Sequence, residues 1–374
     1  MQIARSNTYN NKQYFAWIDV AKGLGLFFIF YGHILYEATI PEINQLIYAF
    51  HVPFFFILSG FVFSINSKTS FLDFITKKFT RIIVPLTIFT FLSLFTALYI
   101  DHLEDKKLLM KWFFYYDGTY PYNMPSWFFI TLFCVYLISY FIRLCEHKTW
   151  MKVILMLSFF TFGYLIYKQI AYIPADVNAL YRFGIDKTII VMGFFILGNI
   201  LRDIHNKTNF SKHLEYVLPI LPFMIAFWIV FGLGMNGKTS IYNRQLGYYW
   251  IFILSGICGS FTFLIISMYL AKVKPVRFVL CLWNKNTIIV ANTHYMFRAA
   301  RLWFYFISIR YAFAQTKTAD ILIPLYVIIM LTAYVPLGFV IDRYLPFISG
   351  APWYPYIVPM KEWSNYRSRT SNKA

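Results

Sequence analysis

Acidic residues are scarce in this chain, with 16 Asp and Glu against 34 Lys and Arg in 374 residues, and only 13% of all residues are charged. An ordinary soluble domain is excluded, because 59% of the residues are hydrophobic and the mean hydropathy is +0.56, more apolar surface than a globule hides. The four cysteines, Cys134, Cys145, Cys258 and Cys281, show no Cys-x-x-Cys spacing, which argues against a disulfide framework and a zinc site. No metal is expected. No polar stretch is long enough for a soluble catalytic domain, so any chemistry must use membrane helices and short loops. The formal charge of +18 therefore reflects topology and anionic lipid headgroups, and nucleic-acid binding is not expected without a soluble basic domain.

What the chain does have is apolar runs, each near the ~20 residues that a spanning helix needs. They predict an all-α, polytopic integral membrane protein of about ten transmembrane helices, near residues 15–36, 45–65, 82–100, 126–145, 152–170, 187–201, 214–232, 247–271, 286–308 and 321–341. The first run is of full spanning length with no cleavage site after it, so it reads as a retained anchor. Lys and Arg are in excess in the segments that share a side with both termini, which predicts cytoplasmic termini and a short basic cytoplasmic tail over 351–374. The pattern GLGMNGKT, Gly232 to Thr239, matches a phosphate-binding loop, but it follows FMIAFWIVF rather than a strand and reads as a connection between spans.

The first run, IDVAKGLGLFFIFYGHIL, carries Asp19, Lys22 and His33. Lys22 and His33 fall on one face, roughly 16 Å apart along a helix, and Asp19 is within pairing distance of Lys22. Ionisable groups inside a membrane cost several kcal/mol unless they line a cavity or find partners, so this face reads as a polar path. His51, near the outer end of the second run, comes from the same side as His33, and Pro53 beside it bends the helix; a structural role for His51, capping that kink, is as open as a chemical one. In TKKFTRIIVP, Lys77, Lys78 and Arg81 form either a topology anchor or a phosphate site, since Lys78 and Arg81 are one turn apart. The loop KWFFYYDGTYPYNMPSWFF brings Trp112, Asn123 and Trp127, the aromatic and hydrogen-bonding mixture that holds a sugar, or equally an interfacial belt. In NTIIVANTHYMFRAAR, His294, Arg298 and Arg301 make one stripe that suits a lipid-linked phosphate or outer headgroups.

Together these segments resemble the acyltransferase-3 family of membrane-bound O-acyltransferases, and its branch similar to fucose 4-O-acetylases. The family's basic residue, ten residues, then histidine is here Lys22 and His33. FHVPFFFILSGF, KFTRIIVP, SWFFITLF, FFILGNILR, NKNTIIVANTH and VIDRYLPFISG follow in the family's order, over residues 15 to 350. The resemblance implies one transmembrane acyltransferase-3 domain over 1–350 in a bacterial cytoplasmic membrane, with acetyl-CoA as co-substrate and a glycan or lipid-linked sugar hydroxyl as acceptor. It implies catalytic roles for His33 (general base or transient acyl carrier), Lys22, Asp19 and His51, donor binding by Lys77, Lys78 and Arg81, and acceptor binding by Trp127, Trp112, Asn123, His294, Arg298 and Arg301. Lys22 stands where the wider family has arginine, keeping the charge without the planar fork. The hydrolase-like domain of many members has no counterpart after the tenth run, so transfer is expected to be completed by this chain or a separate protein. A glycan-precursor transporter or flippase, or use of succinyl or another acyl donor, is the alternative.

Overall fold

A computed structural model describes residues 15–35, 41–99, 125–170, 184–294 and 322–350. These residues are almost wholly helical: α1 Ala16–Leu35, α2 Pro41–Val62, α3 Phe71–Lys78, α4 Val84–Tyr99, α5 Ser126–Phe141, α6 Thr149–Ile170, α7 Ile185–Thr208, α8 Leu214–Met235, α9 Tyr249–Leu270, α10 Lys274–Lys285, α11 Thr287–Thr293 and α12 Ile323–Tyr344. Among the described residues there is no strand, only an antiparallel bridge between Ser240 and Gln245. Six of the helices, α2, α6, α7, α8, α9 and α12, are long and apolar enough to cross a membrane by length and composition, so the chain is an all-α polytopic membrane protein.

α2 lies at the centre, against α1, α7 and α9. Its contact with α7 is reciprocal: a β-carbon on Gly60 would collide with the Phe195 carbonyl, and one on Gly198 with the Ile57 carbonyl. Two backbones meet there because neither helix has a side chain at the crossing, the usual way membrane helices gain packing when lipid is as apolar as the core. The two helices advance toward the same end of the bundle, since Asn199 and Arg202, late in α7, donate to the Gly60 and Phe63 carbonyls at the end of α2. Gly198→Leu is expected to destabilise the fold by at least the ~1–3 kcal/mol typical of overpacking, seen as a lowered melting temperature of the detergent-solubilised protein.

One feature departs from the sequence expectation. Lys274–Lys285, inside a segment expected to be a connection, is a helix whose Leu280 and Trp283 are buried while Phe278 is exposed. Its interleaved cations keep it below spanning length, yet α1 packs on it so closely that Gly23 meets the Leu280 backbone. The ninth expected span is described only as α11 and His294; its remainder is outside the described residues. The Gly232–Thr239 stretch begins in the π-helical end of α8, and Gln45 Nε2 donates to the Gly232 and Asn236 carbonyls at 2.6 and 2.7 Å. It is a helix terminus capped by α2, with no strand before it.

Candidate functional site

Three histidines from three helices meet at one end of the bundle. His33 Nδ1 lies 2.7 Å from His294 Nε2, with the rings at 7° to each other. His51 stands edge-on to His33, ring centroids 6.4 Å apart, and edge-on to Tyr48 at 4.9 Å. The protons in this group follow from its acceptors. His294 Nδ1 is 2.7 Å from the Val290 carbonyl, and a carbonyl only accepts, so the His294 proton is on Nδ1 and its Nε2 is an acceptor. His33 must then donate from Nδ1, which leaves the lone pair of a neutral His33 on Nε2. His51 donates from Nδ1 to the Ile47 carbonyl at 2.8 Å, so its lone pair is also on Nε2. That bond goes to a carbonyl one turn before His51, not to Ala49, the carbonyl whose donor Pro53 removes.

Towards the other end of α1, Asn284 Nδ2 donates to Asp19 Oδ1 at 3.0 Å. The hydrogen bond at Asp19 thus comes from α10 rather than from Lys22, and it ties the basic-residue end of α1 to α10. Lys22 is half-buried on the same helix.

Past the end of α2, roughly 16 Å along the axis from His51, a cleft of about 700 Å³ is lined by Lys77, Lys78, Arg81 and Arg202, with Ser64, Asn206 and Asn209 among its polar walls. Local sequence builds each wall. Ser70 caps α3, accepting from the Asp73 amide at 3.1 Å and donating to its carboxylate at 2.7 Å, the reciprocal cap that starts a helix cleanly; Lys77 and Lys78 fall in its last turn. Pro85 has no N–H for the Arg81 carbonyl, and the helix absorbs the loss as a π-helical turn, Phe79–Ile83, with Val84 N–H bonded to Phe79. Such turns recur at functional sites because they re-aim side chains, here Arg81. Lys78 Nζ sits 3.3 Å from the centroid of the Tyr136 ring, a cation held on an aromatic face. On the opposite wall Arg202 donates to the Phe63 carbonyl at 3.0 Å, and Asn199 to the Gly60 and Phe63 carbonyls. A cation there suits the negative end of the α2 dipole. The acidic group in the lining is Asp73, set against Lys77, Lys78, Arg81 and Arg202, so cations outnumber it; nearby Asp203 is paired with buried Lys152 at 2.6 Å.

At the histidine end, Trp127 opens α5. It is buried beside Tyr242 and Lys187, with Lys187 Nζ 5.4 Å from the Trp127 ring and 5.0 Å from the Tyr242 ring. Asp186 is bound by Arg244 through two nitrogens at 2.8 and 3.4 Å. Trp112, Asn123, Arg298 and Arg301 lie outside the described residues.

A family model described as an acyltransferase domain matches residues 15–298. The chain belongs to the acyltransferase-3 family. No curated protein and no solved structure matches it. As a member, the protein is an acyltransferase, which sets aside the transport alternative. In this acyltransferase His33 has two close histidine partners: His51, which the sequence placed with it among the catalytic residues, and His294, which it placed in an acceptor-binding stripe. Arg202, Asn206 and Asn209 went unnoticed as cleft residues. Their signal was their spacing, i, i+4 and i+7, at the end of a span on the side of TKKFTR. Lys187 was missed because a charge opening a span reads as an anchor.

Proposed function

We propose that this acyltransferase is a membrane-bound O-acetyltransferase, similar to fucose 4-O-acetylases, that moves the acetyl group of acetyl-CoA to a hydroxyl of a cell-surface or lipid-linked glycan. What carries the reading is one helix, α2, with a cationic cleft at one end and a histidine cluster at the other. The cleft suits the phosphates of coenzyme A, because several cations converge on one concave, hydrogen-bonding surface. The separation between the two ends suits a donor whose thioester is carried on a long arm. His33 Nε2 takes the proton of the acceptor hydroxyl as its oxygen bonds to the acyl carbon; the carbon–sulfur bond breaks and the same nitrogen returns the proton to the departing thiolate. Imidazole serves both steps because its ordinary pKa is near neutrality. Lys22 orients the donor, and Asp19 and Asn284 hold that end of α1 in place. Trp127, together with Trp112, Asn123, Arg298 and Arg301, holds the acceptor. The site faces a bacterial cytoplasmic membrane with both termini inside, so the cleft opens to the cytoplasm.

The test is transfer of label from acetyl-labelled CoA into a host glycan or lipid-linked oligosaccharide extract by membranes containing the protein. Mass analysis of the product identifies the acyl group: a succinyl increment would replace the acetyl reading. Arg81→Ala is expected to raise the donor KM about two- to threefold with kcat nearly unchanged, the pattern of a lost uniform binding contact at an exposed position. An unchanged donor KM would remove Arg81 from the donor site.

A further inference from the structure

We infer that His294 is a positioning residue that fixes the tautomer of His33, so that the nitrogen left to act as base is Nε2. The inference rests on the acyltransfer role of His33 proposed above, but its evidence is separate. A nitrogen pair 2.7 Å apart holds a single proton between its members. The Val290 carbonyl decides which member carries it: Val290 accepts from the His294 backbone amide at 3.0 Å and from His294 Nδ1 at 2.7 Å. With its own proton committed to Val290, neutral His294 offers only a lone pair to His33. The His294 ring is buried against Phe30, and the neighbouring Thr293 is held by Tyr334 at 3.2 Å, so the helix is anchored without it.

The scale of the effect follows from serine proteases, where a wrong imidazole tautomer in intact geometry costs about 10⁴ in kcat. Here the carbonyl of a glutamine can replace the acceptor lone pair, whereas leucine fills the volume and accepts nothing. Lysine presents only donors and would drive the His33 proton to Nε2. Among the described residues, His51 and Tyr48, both on α2, face the pair, and they are unchanged in all three variants.

The experiment measures steady-state acyl transfer and imidazole nitrogen-15 spectra on one set of preparations: wild type, His294→Gln, His294→Leu and His294→Lys, in lipid nanodiscs. Glutamine is expected to keep kcat within about tenfold, and leucine and lysine to lower it about 10²-fold or more, with both KM values within twofold. In the spectra of the wild type, His33 Nε2 is expected to resonate as an unprotonated, pyridine-like nitrogen, and in the leucine variant to split between tautomers. A purely structural His294 would make glutamine as damaging as leucine, lower the melting temperature in step with activity, and leave the His33 tautomer unchanged; that result overturns the inference. The spectra need no substrate. A fixed Nε2 lone pair without acyl transfer from any CoA thioester would therefore remove the proposed reaction and leave the tautomer assignment standing. A wild-type His33 protonated on Nε2 would remove the assignment whatever the activity.

Discussion

His33→Ala is expected to lower acyl transfer by membranes about 10²- to 10⁴-fold at equal expression, the range that a positioned proton-transfer group contributes. The loss should fall on kcat with donor KM nearly unchanged, because the donor phosphates are held at the far end of α2, in a cleft that His33 does not line. The fold should survive. His33 is half-buried at the end of α1, whose packing rests on apolar residues such as Leu26, Phe30 and Ile34. Stopped reactions with donor alone refine the result. Under the base mechanism no labelled protein accumulates without acceptor, whereas an acyl-carrying histidine would trap label on the wild-type chain and not on the variant. Wild-type rates in the alanine variant would move the chemistry to another group of the cluster, with His51 the first to replace.

The same cluster marks what was legible in the sequence. Lys22 and His33 share a face by helical arithmetic alone, and the short connection from α1 to α2 brings His51 to the same end. His294 is far away in the chain, and its charge-bearing neighbours Arg298 and Arg301 made it look like part of a phosphate stripe; only tertiary packing puts it against His33. Apolar length and cationic bias gave the membrane class and the helical runs, because both follow from composition over a window. α10 was hidden by the same measure: its amphipathic pattern, with Lys274, Arg277 and Lys285 among its apolar positions, averages to a polar connection. Gly60 and Gly198 each invite close packing, but no local signal says that Gly60 faces the Phe195 carbonyl and Gly198 the Ile57 carbonyl. The cleft was half legible. Lys77, Lys78 and Arg81 are a contiguous cluster, while Arg202 on α7 joins them through the α2 terminus that it caps.

Reversing charge on the exposed wall of the cleft gives the second large effect. The paired change Lys77→Glu and Arg81→Glu removes two attractions for a phosphorylated donor and adds two repulsions. With roughly 0.5 kcal/mol for each of these four exposed contributions, the total is about 2 kcal/mol, or roughly thirtyfold in donor affinity. Equilibrium binding of coenzyme A to the detergent-solubilised protein reads this without any acceptor. Two controls separate a phosphate site from a topology anchor. Raising salt from 0.05 to about 0.5 M should weaken wild-type binding and scarcely affect the variant, since screening acts on charges that remain attractive. Removing the 3′-phosphate of coenzyme A should cost wild-type affinity and cost the variant little or nothing. Lys78 and Arg202 are left intact because each also has a structural partner, the Tyr136 ring and the Phe63 carbonyl; changing them would mix binding with folding. Should the paired variant bind coenzyme A as tightly as wild type at every salt concentration, Lys77 and Arg81 are anchors for the membrane surface and the donor phosphates lie elsewhere.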